Sequence, residues 1–214
     1  MSVAAERPRQ REWWLRALLV FQAPSAVFSA LRSQDEDDVE ARSEPLLAIG
    51  FLAGVAAVLS TSVAGRLLDD PGGGLLLVAA WAVFAGALYG IAAVWIGGLL
   101  VHLAARRLGS LGSYRRARQV VGLALAPVAL SLLLLWPVRL AVYGEDVFRA
   151  GGSDAGTTGT AVLDWLWAGA GLWALGLVLV GIRAVHAWTW ERATAALALA
   201  AALPVVLVAA QVAF

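Results

Sequence analysis

The chain has 214 residues, 61% of them hydrophobic and 14% charged; sixteen arginines against fifteen acidic residues leave a formal net charge of +1, with no lysine and no cysteine. A soluble domain carries roughly a quarter charged residues, so this composition points to the bilayer, and five spanning helices of about 20 residues each leave no room for a separate soluble catalytic domain. The missing cysteines exclude disulfides, thiolate catalysis and Cys-type zinc sites, and arginine as the sole strong base fits a GC-rich bacterial genome.

Residues 1–45 read as a cytoplasmic head. Arg7, Arg9 and Arg11 precede Trp13-Trp14-Leu15 and an apolar run to Phe21 that is too short, and too interrupted by Arg16, for a secretory signal. The pattern predicts an amphipathic helix lying in the membrane interface, anchored by Trp13, Trp14 and Phe21, with arginines meeting anionic headgroups. Pro24 starts a second short helix through Arg32, and the acidic run from Asp35 to Glu44 reads as a solvated linker.

The remainder, 46–214, reads as a five-helix transmembrane domain with spans at about 46–68, 75–105, 120–143, 161–185 and 193–214. Gly50/Gly54 in the first span and Gly86/Gly90 in the second are small-xxx-small pairs that admit a close neighbour, as do Ala170/Ala174 and Ala196/Ala200, and they read as intramolecular packing seams. The Gly-, Ser-, Thr- and Asp-rich loop 144–160 is expected to be flexible. Thirteen arginines flank one side of these spans and three, Arg66, Arg139 and Arg149, the other, which places the N-terminus in the cytoplasm and the C-terminus outside. Trp136, Trp165 and Trp167 at one set of helix ends and Trp188 and Trp190 at the other fit an aromatic belt.

Reactive chemistry is sparse. Asp164 and Arg139 lie near the outer ends of spans four and three and are expected to meet across them, as a structural pair. His102, His186 and Glu191 supply donors for a zinc ion in principle, but no HExxH-like spacing joins them, and the alternative is ordinary interfacial histidines. Ser110 and Ser113 sit among glycines without matching GxSxG or GxxxxGK[ST], so they read as a tight turn. Pro127 removes a backbone hydrogen bond within span three; broken helices line transport sites, but Pro204 is no matched partner and packing around a kink is the expected outcome. The most specific site is the basic loop: Arg106, Arg107, Arg115, Arg116 and Arg118 either hold an anionic lipid headgroup or simply obey the orientation rule.

At that loop the sequence resembles a known family. His102–Leu108 (HLAARRL) ends a helix, Gly109–Tyr114 (GSLGSY) turns, and an amphipathic start at Arg115–Gln119 leads into Leu123–Pro127 (LALAP); Pro24–Phe28 (PSAVF) stands before the spans. This is similar to the bacterial branch of the Yip domain family, the Ypt-interacting proteins, over roughly residues 20–210. The resemblance implies an integral membrane protein with no agreed catalytic motif, whose eukaryotic members are linked to vesicle trafficking, Rab-type GTPase binding and membrane shaping. The expectation is an all-α polytopic protein of a bacterial plasma membrane, non-enzymatic, with no metal, cofactor or nucleic acid. It would organise membrane lipids or recruit a membrane or cytoplasmic protein through its cytoplasmic face; the alternative is a transporter or channel for a neutral solute or lipid.

Overall fold

The computed structural model of the chain describes residues 18–32, 44–70 and 72–213, and only the backbone of residues 44 and 207–213. Every regular element among the described residues is helical. Trp13, Trp14 and nearly all of the acidic run lie outside them.

A helical turn at residues 18–22 leads into α1, Pro24–Arg32. Proline at its first position has a preset φ and lacks only an N–H that the helix would leave unbonded anyway. Helix α1 forms where expected and packs into the protein: Phe28 is wholly enclosed, with Val27 and Leu31 also buried.

Helix α2, Glu44–Leu59, is shorter than the expected span. Ser60 Oγ donates to the Ala56 carbonyl (2.8 Å) and Thr61 Oγ1 to that of Val58 (2.6 Å), while Thr61 Oγ1 accepts the Ala64 N–H (3.3 Å). These local bonds compete with continuation of the ladder, and the chain passes into a 3-10 turn at Ala64–Arg66. At 1.5 Å per residue α2 reaches about 24 Å, short of a hydrocarbon core of roughly 30 Å.

The remaining elements follow the expected boundaries more closely. Helix α3 is Leu75–Arg107, α4 Tyr114–Ala124, α5 Ala126–Tyr143, α6 Thr158–His186 and α7 Trp190–Ala213. α4 and α5 are interrupted at Leu125, and Pro127 stands in the first turn of α5, where its missing N–H costs least. Ala126, Pro127 and Ala129 are buried around the break, so it is packed as protein interior. Among the described residues, three stretches, Leu75–Arg107, Tyr114–Phe148 and Thr158–His186, are long and apolar enough to cross a membrane.

The chain forms two compact units. The first comprises residues up to Leu46 with Val94–Ala124 and Leu175–Phe214. Its core gathers Val101 and Ala104 of α3, Ala117 and Val121 of α4, Ile182 of α6 and Ala193, Ala196 and Ala200 of α7. Small residues set the approach distances: a Cβ on Gly98 would meet the Arg118 backbone, and one on Gly181 would overlap the Val120 side chain and touch Phe28.

The second unit is Leu47–Ala93 with Leu125–Ala174. Here the two glycine pairs face each other, because a Cβ on Gly54 would strike the Gly86 carbonyl and the Gly90 backbone, and one on Gly90 the Gly50 carbonyl. The seam is thus intramolecular, as expected. The loop after α5 differs from expectation. Gly144–Phe148 forms a 3-10 helix with Val147 and Phe148 buried, and Phe148 stacks on Trp136 with centroids 6.1 Å apart. Leu68 N–H bonds to the Phe148 carbonyl (3.0 Å) and Ala150 N–H to Asp69 Oδ1 (2.8 Å), so this part of the loop is tied down rather than free. Composition hid that, because the two apolar residues that anchor it are outnumbered by polar ones.

Candidate functional site

In the first unit, two helix C-termini end in the same way and meet. After α3, Gly109 takes a left-handed conformation (φ 83°) and Ser110 N–H reaches back to the Ala105 carbonyl (3.0 Å). After α6, Ala187 takes it (φ 52°) and Trp188 N–H reaches the Arg183 carbonyl (3.1 Å). Both are Schellman-type stops, in which one left-handed residue lets a later N–H satisfy a carbonyl that the helix leaves open. Side chains join the two turns. Ser110 Oγ hydrogen-bonds His186 Nδ1 (3.2 Å) and accepts the Gly112 N–H (2.9 Å), and the Arg192 guanidinium donates to the Leu108 carbonyl. Gly112 is held so close to the His186 ring that a Cβ would overlap it.

Aromatic faces hold three of the arginines. Arg118 lies 4.4 Å from the Trp95 ring centroid, Arg192 4.4 Å from Trp188 and Arg183 4.5 Å from Trp190. Such stacking is worth about 0.5–2 kcal/mol, more where water is excluded. Tyr114 donates its hydroxyl to the Trp95 carbonyl (2.9 Å), and His102 meets the Tyr114 ring edge-on at 6.0 Å.

Of the five loop arginines, Arg106 and Arg107 are exposed on the last turn of α3, while Arg115, Arg116 and Arg118 are half-buried in the first turns of α4. Arg118 is turned to Trp95, so the five do not present one uniform patch. Between the two groups Leu111 stands fully in the open at the tip of the turn. Against the eight arginines described in this unit, Glu191 is the one described acidic side chain. Phe21 is half-buried in the turn 18–22, and its neighbours Leu18 and Leu19 are exposed.

His102 and His186 have these other partners, and among the described residues no three His, Asp or Glu side chains are grouped to hold a metal ion. In the second unit the expected contact between Arg139 and Asp164 is present at 3.1 Å, with Asp154 at 3.9 Å and the Trp136 ring at 5.6 Å. Asp164 is largely exposed and Arg139 largely covered, so the pair secures helix ends and forms no closed reactive pocket.

A match to the Yip1 domain covers residues 18–212. The chain belongs to the Yip1 domain family. No curated protein and no solved structure matches it. Membership of the Yip1 family and the apolar helices make this a membrane protein, and the match begins at the turn before α1, so the PSAVF segment belongs to the domain.

Sequence reading missed Trp95, Arg183, Trp188, Trp190 and Arg192 as parts of the same Yip1-domain surface. The available signal was the cluster Trp188, Trp190 and Arg192 at the junction of α6 and α7, with Arg183 one turn before the end of α6. Their pairing with the α3–α4 turn depends on contacts across 76 residues (Ser110 to His186) and 84 residues (Leu108 to Arg192) of chain.

Proposed function

We propose that this Yip1-domain protein is a non-enzymatic integral membrane protein of a bacterial plasma membrane that organises anionic lipid, or recruits a partner protein, through a cytoplasmic basic face. In this reading α2, α3, the interrupted α4–α5, α6 and α7 make five crossings. Residues 1–45 and the α3–α4 turn then lie in the cytoplasm, with the amphipathic segment around Trp13, Trp14 and Phe21 in the interface. The short α2 is accommodated by modest local thinning of the bilayer.

The supporting observation is the α3–α4 turn. A fully exposed Leu111 is flanked by exposed Arg106 and Arg107 and by Arg115, on a surface with a single described carboxylate. An apolar tip with a basic collar suits the headgroup boundary, where the leucine enters acyl chains and the guanidiniums meet phosphates. Each arginine near an anionic surface contributes about 1 kcal/mol.

The test is mass spectrometry of lipids and proteins retained when the full chain is extracted from native membranes into polymer nanodiscs. Anionic phospholipid should be enriched over the bulk membrane, and an Arg106→Gln/Arg107→Gln variant should lose most of that enrichment. Bulk lipid composition in both, with no stoichiometric protein partner, would overturn the reading.

A further inference from the structure

The early end of α2 leaves space in the second unit. The Ser60–Thr61 turn takes the chain away at Leu59, and the next α-helix begins only at Leu75. What remains is an open groove of about 830 Å3 between the first turns of α3 and the second half of α5. Leu59, Val78, Leu132 and Leu140 line it, with the stacked Trp136 and Phe148. Ala79 and Ala82 give it depth on the α3 side, and Pro137 lies along the α5 side. Its volume falls within the roughly 300–1,000 Å3 of ordinary small-ligand sites. Leu75 on α3 and Leu140 on α5, which also line it, are themselves exposed, so the groove opens onto apolar surroundings.

One lining residue is charged. Glu145 stands at the 3-10 turn after α5, about half exposed, and its carboxylate lies 3.9 Å from the equally exposed guanidinium of Arg149. That separation makes a loose ion pair, worth little to folding at a wet surface. It leaves an acceptor on the groove lining and, 3.9 Å away, a donor beside it. Arg149 is steadied by a bond to the Leu68 carbonyl (3.3 Å).

We propose that this groove is a phospholipid site: one acyl chain lies between Leu75 and Ala79 of α3 and Pro137 and Leu140 of α5, over a floor closed by the buried Trp136 and Phe148, and a zwitterionic headgroup places its ammonium on Glu145 and its phosphate on Arg149. Charge complementarity selects this occupant. An anionic headgroup without an amine would satisfy Arg149 and be repelled by Glu145, in a unit whose described side chains carry six carboxylates against Arg66, Arg139 and Arg149. A helix of a second copy would fill the apolar part and leave the charged pair unused. The site is separate from the arginine face of the first unit and does not depend on that face binding lipid.

Native mass spectrometry of the purified full chain, offered phosphatidylethanolamine and phosphatidylglycerol in equal amounts, tests it. The wild type should retain one phosphatidylethanolamine in preference. Glu145→Gln should reduce that preference several-fold, and Ala79→Trp, which puts an indole into the groove from an exposed position, should abolish the retained lipid while the protein stays monodisperse and helical. Equal retention of both lipids by the wild type, or retention unchanged in both variants, would overturn the proposal. So would efficient disulfide cross-linking of Ala79→Cys between two copies in the membrane, which would make a second chain the occupant.

Discussion

At the scale of single residues, the turns that close α3 and α6 show how one conformational demand meets two different side chains. Gly109 occupies the left-handed region with no Cβ to accommodate, and Ala187 occupies it with one. A left-handed residue other than glycine costs roughly 1–2 kcal/mol, partly offset in a swap to glycine by about 0.5–1 kcal/mol of lost backbone freedom. Ala187→Gly should therefore raise the unfolding midpoint in detergent slightly, by a gain of about 0.5–1 kcal/mol. Gly109→Ala should lower it by about 1–2 kcal/mol, with a Cβ also arriving 3.1 Å from the Arg192 guanidinium. A thermal scan that reverses the two signs would show that the turns do not hold these conformations. The glycine in GSLGSY is legible as a turn residue from sequence. The alanine is not, because nothing in HAWTW marks a left-handed position until the Trp188-to-Arg183 bond is seen.

At the scale of elements, glycine matters where backbones touch. Gly54 sits against Gly86 and Gly90, whereas Gly176 on α6 has no atom within 4 Å of a built Cβ. Gly54→Val must push α2 and α3 apart and should cost about 3 kcal/mol, the upper part of the usual range for overpacking. Gly176→Val should fall within about 0.5 kcal/mol of the wild type. Comparing the two by chemical unfolding in one detergent separates helix packing from a general intolerance of valine. Both glycines look alike in the sequence, each within an apolar helix. Only the paired spacing of Gly50/Gly54 and Gly86/Gly90 pointed to contact, and that spacing could not name the partner. The end of α2 is the converse case. Ser60-Thr61-Ser62 sits inside an apolar stretch that hydropathy reads as one span to residue 68, but hydroxyls that bond to preceding carbonyls end the helix nine residues sooner.

At the scale of the whole molecule, arginine distribution predicts that the α3–α4 turn and the loop after α5 lie on opposite sides of the membrane. Single cysteines at Ser110 and Ser153 would test this in a chain without native thiols. Since Ser110 is bonded to His186 and Leu111 is assigned to the acyl chains, Arg107→Cys, at an exposed position on the last turn of α3, is the cleaner probe of the turn. An impermeant maleimide applied to intact cells should label Ser153→Cys and spare Arg107→Cys, which should react only after the membrane is opened. Labelling in the opposite sense would invert the assignment of the basic face.

Composition and the long continuous apolar stretches were enough to determine that the chain is helical and membrane-embedded, because a run of about 20 apolar residues in a bilayer satisfies its backbone within itself only as a helix. The residues of the α3–α4 turn were enough to indicate the family. Tertiary structure alone decided which arginines are covered by tryptophan, that His186 joins Ser110, that the loop after α5 is anchored through Phe148, and that a groove opens where α2 stops. Each of these rests on groups distant in the chain or on a helix end set by local hydroxyl bonds, and a one-dimensional hydropathy pattern carries neither.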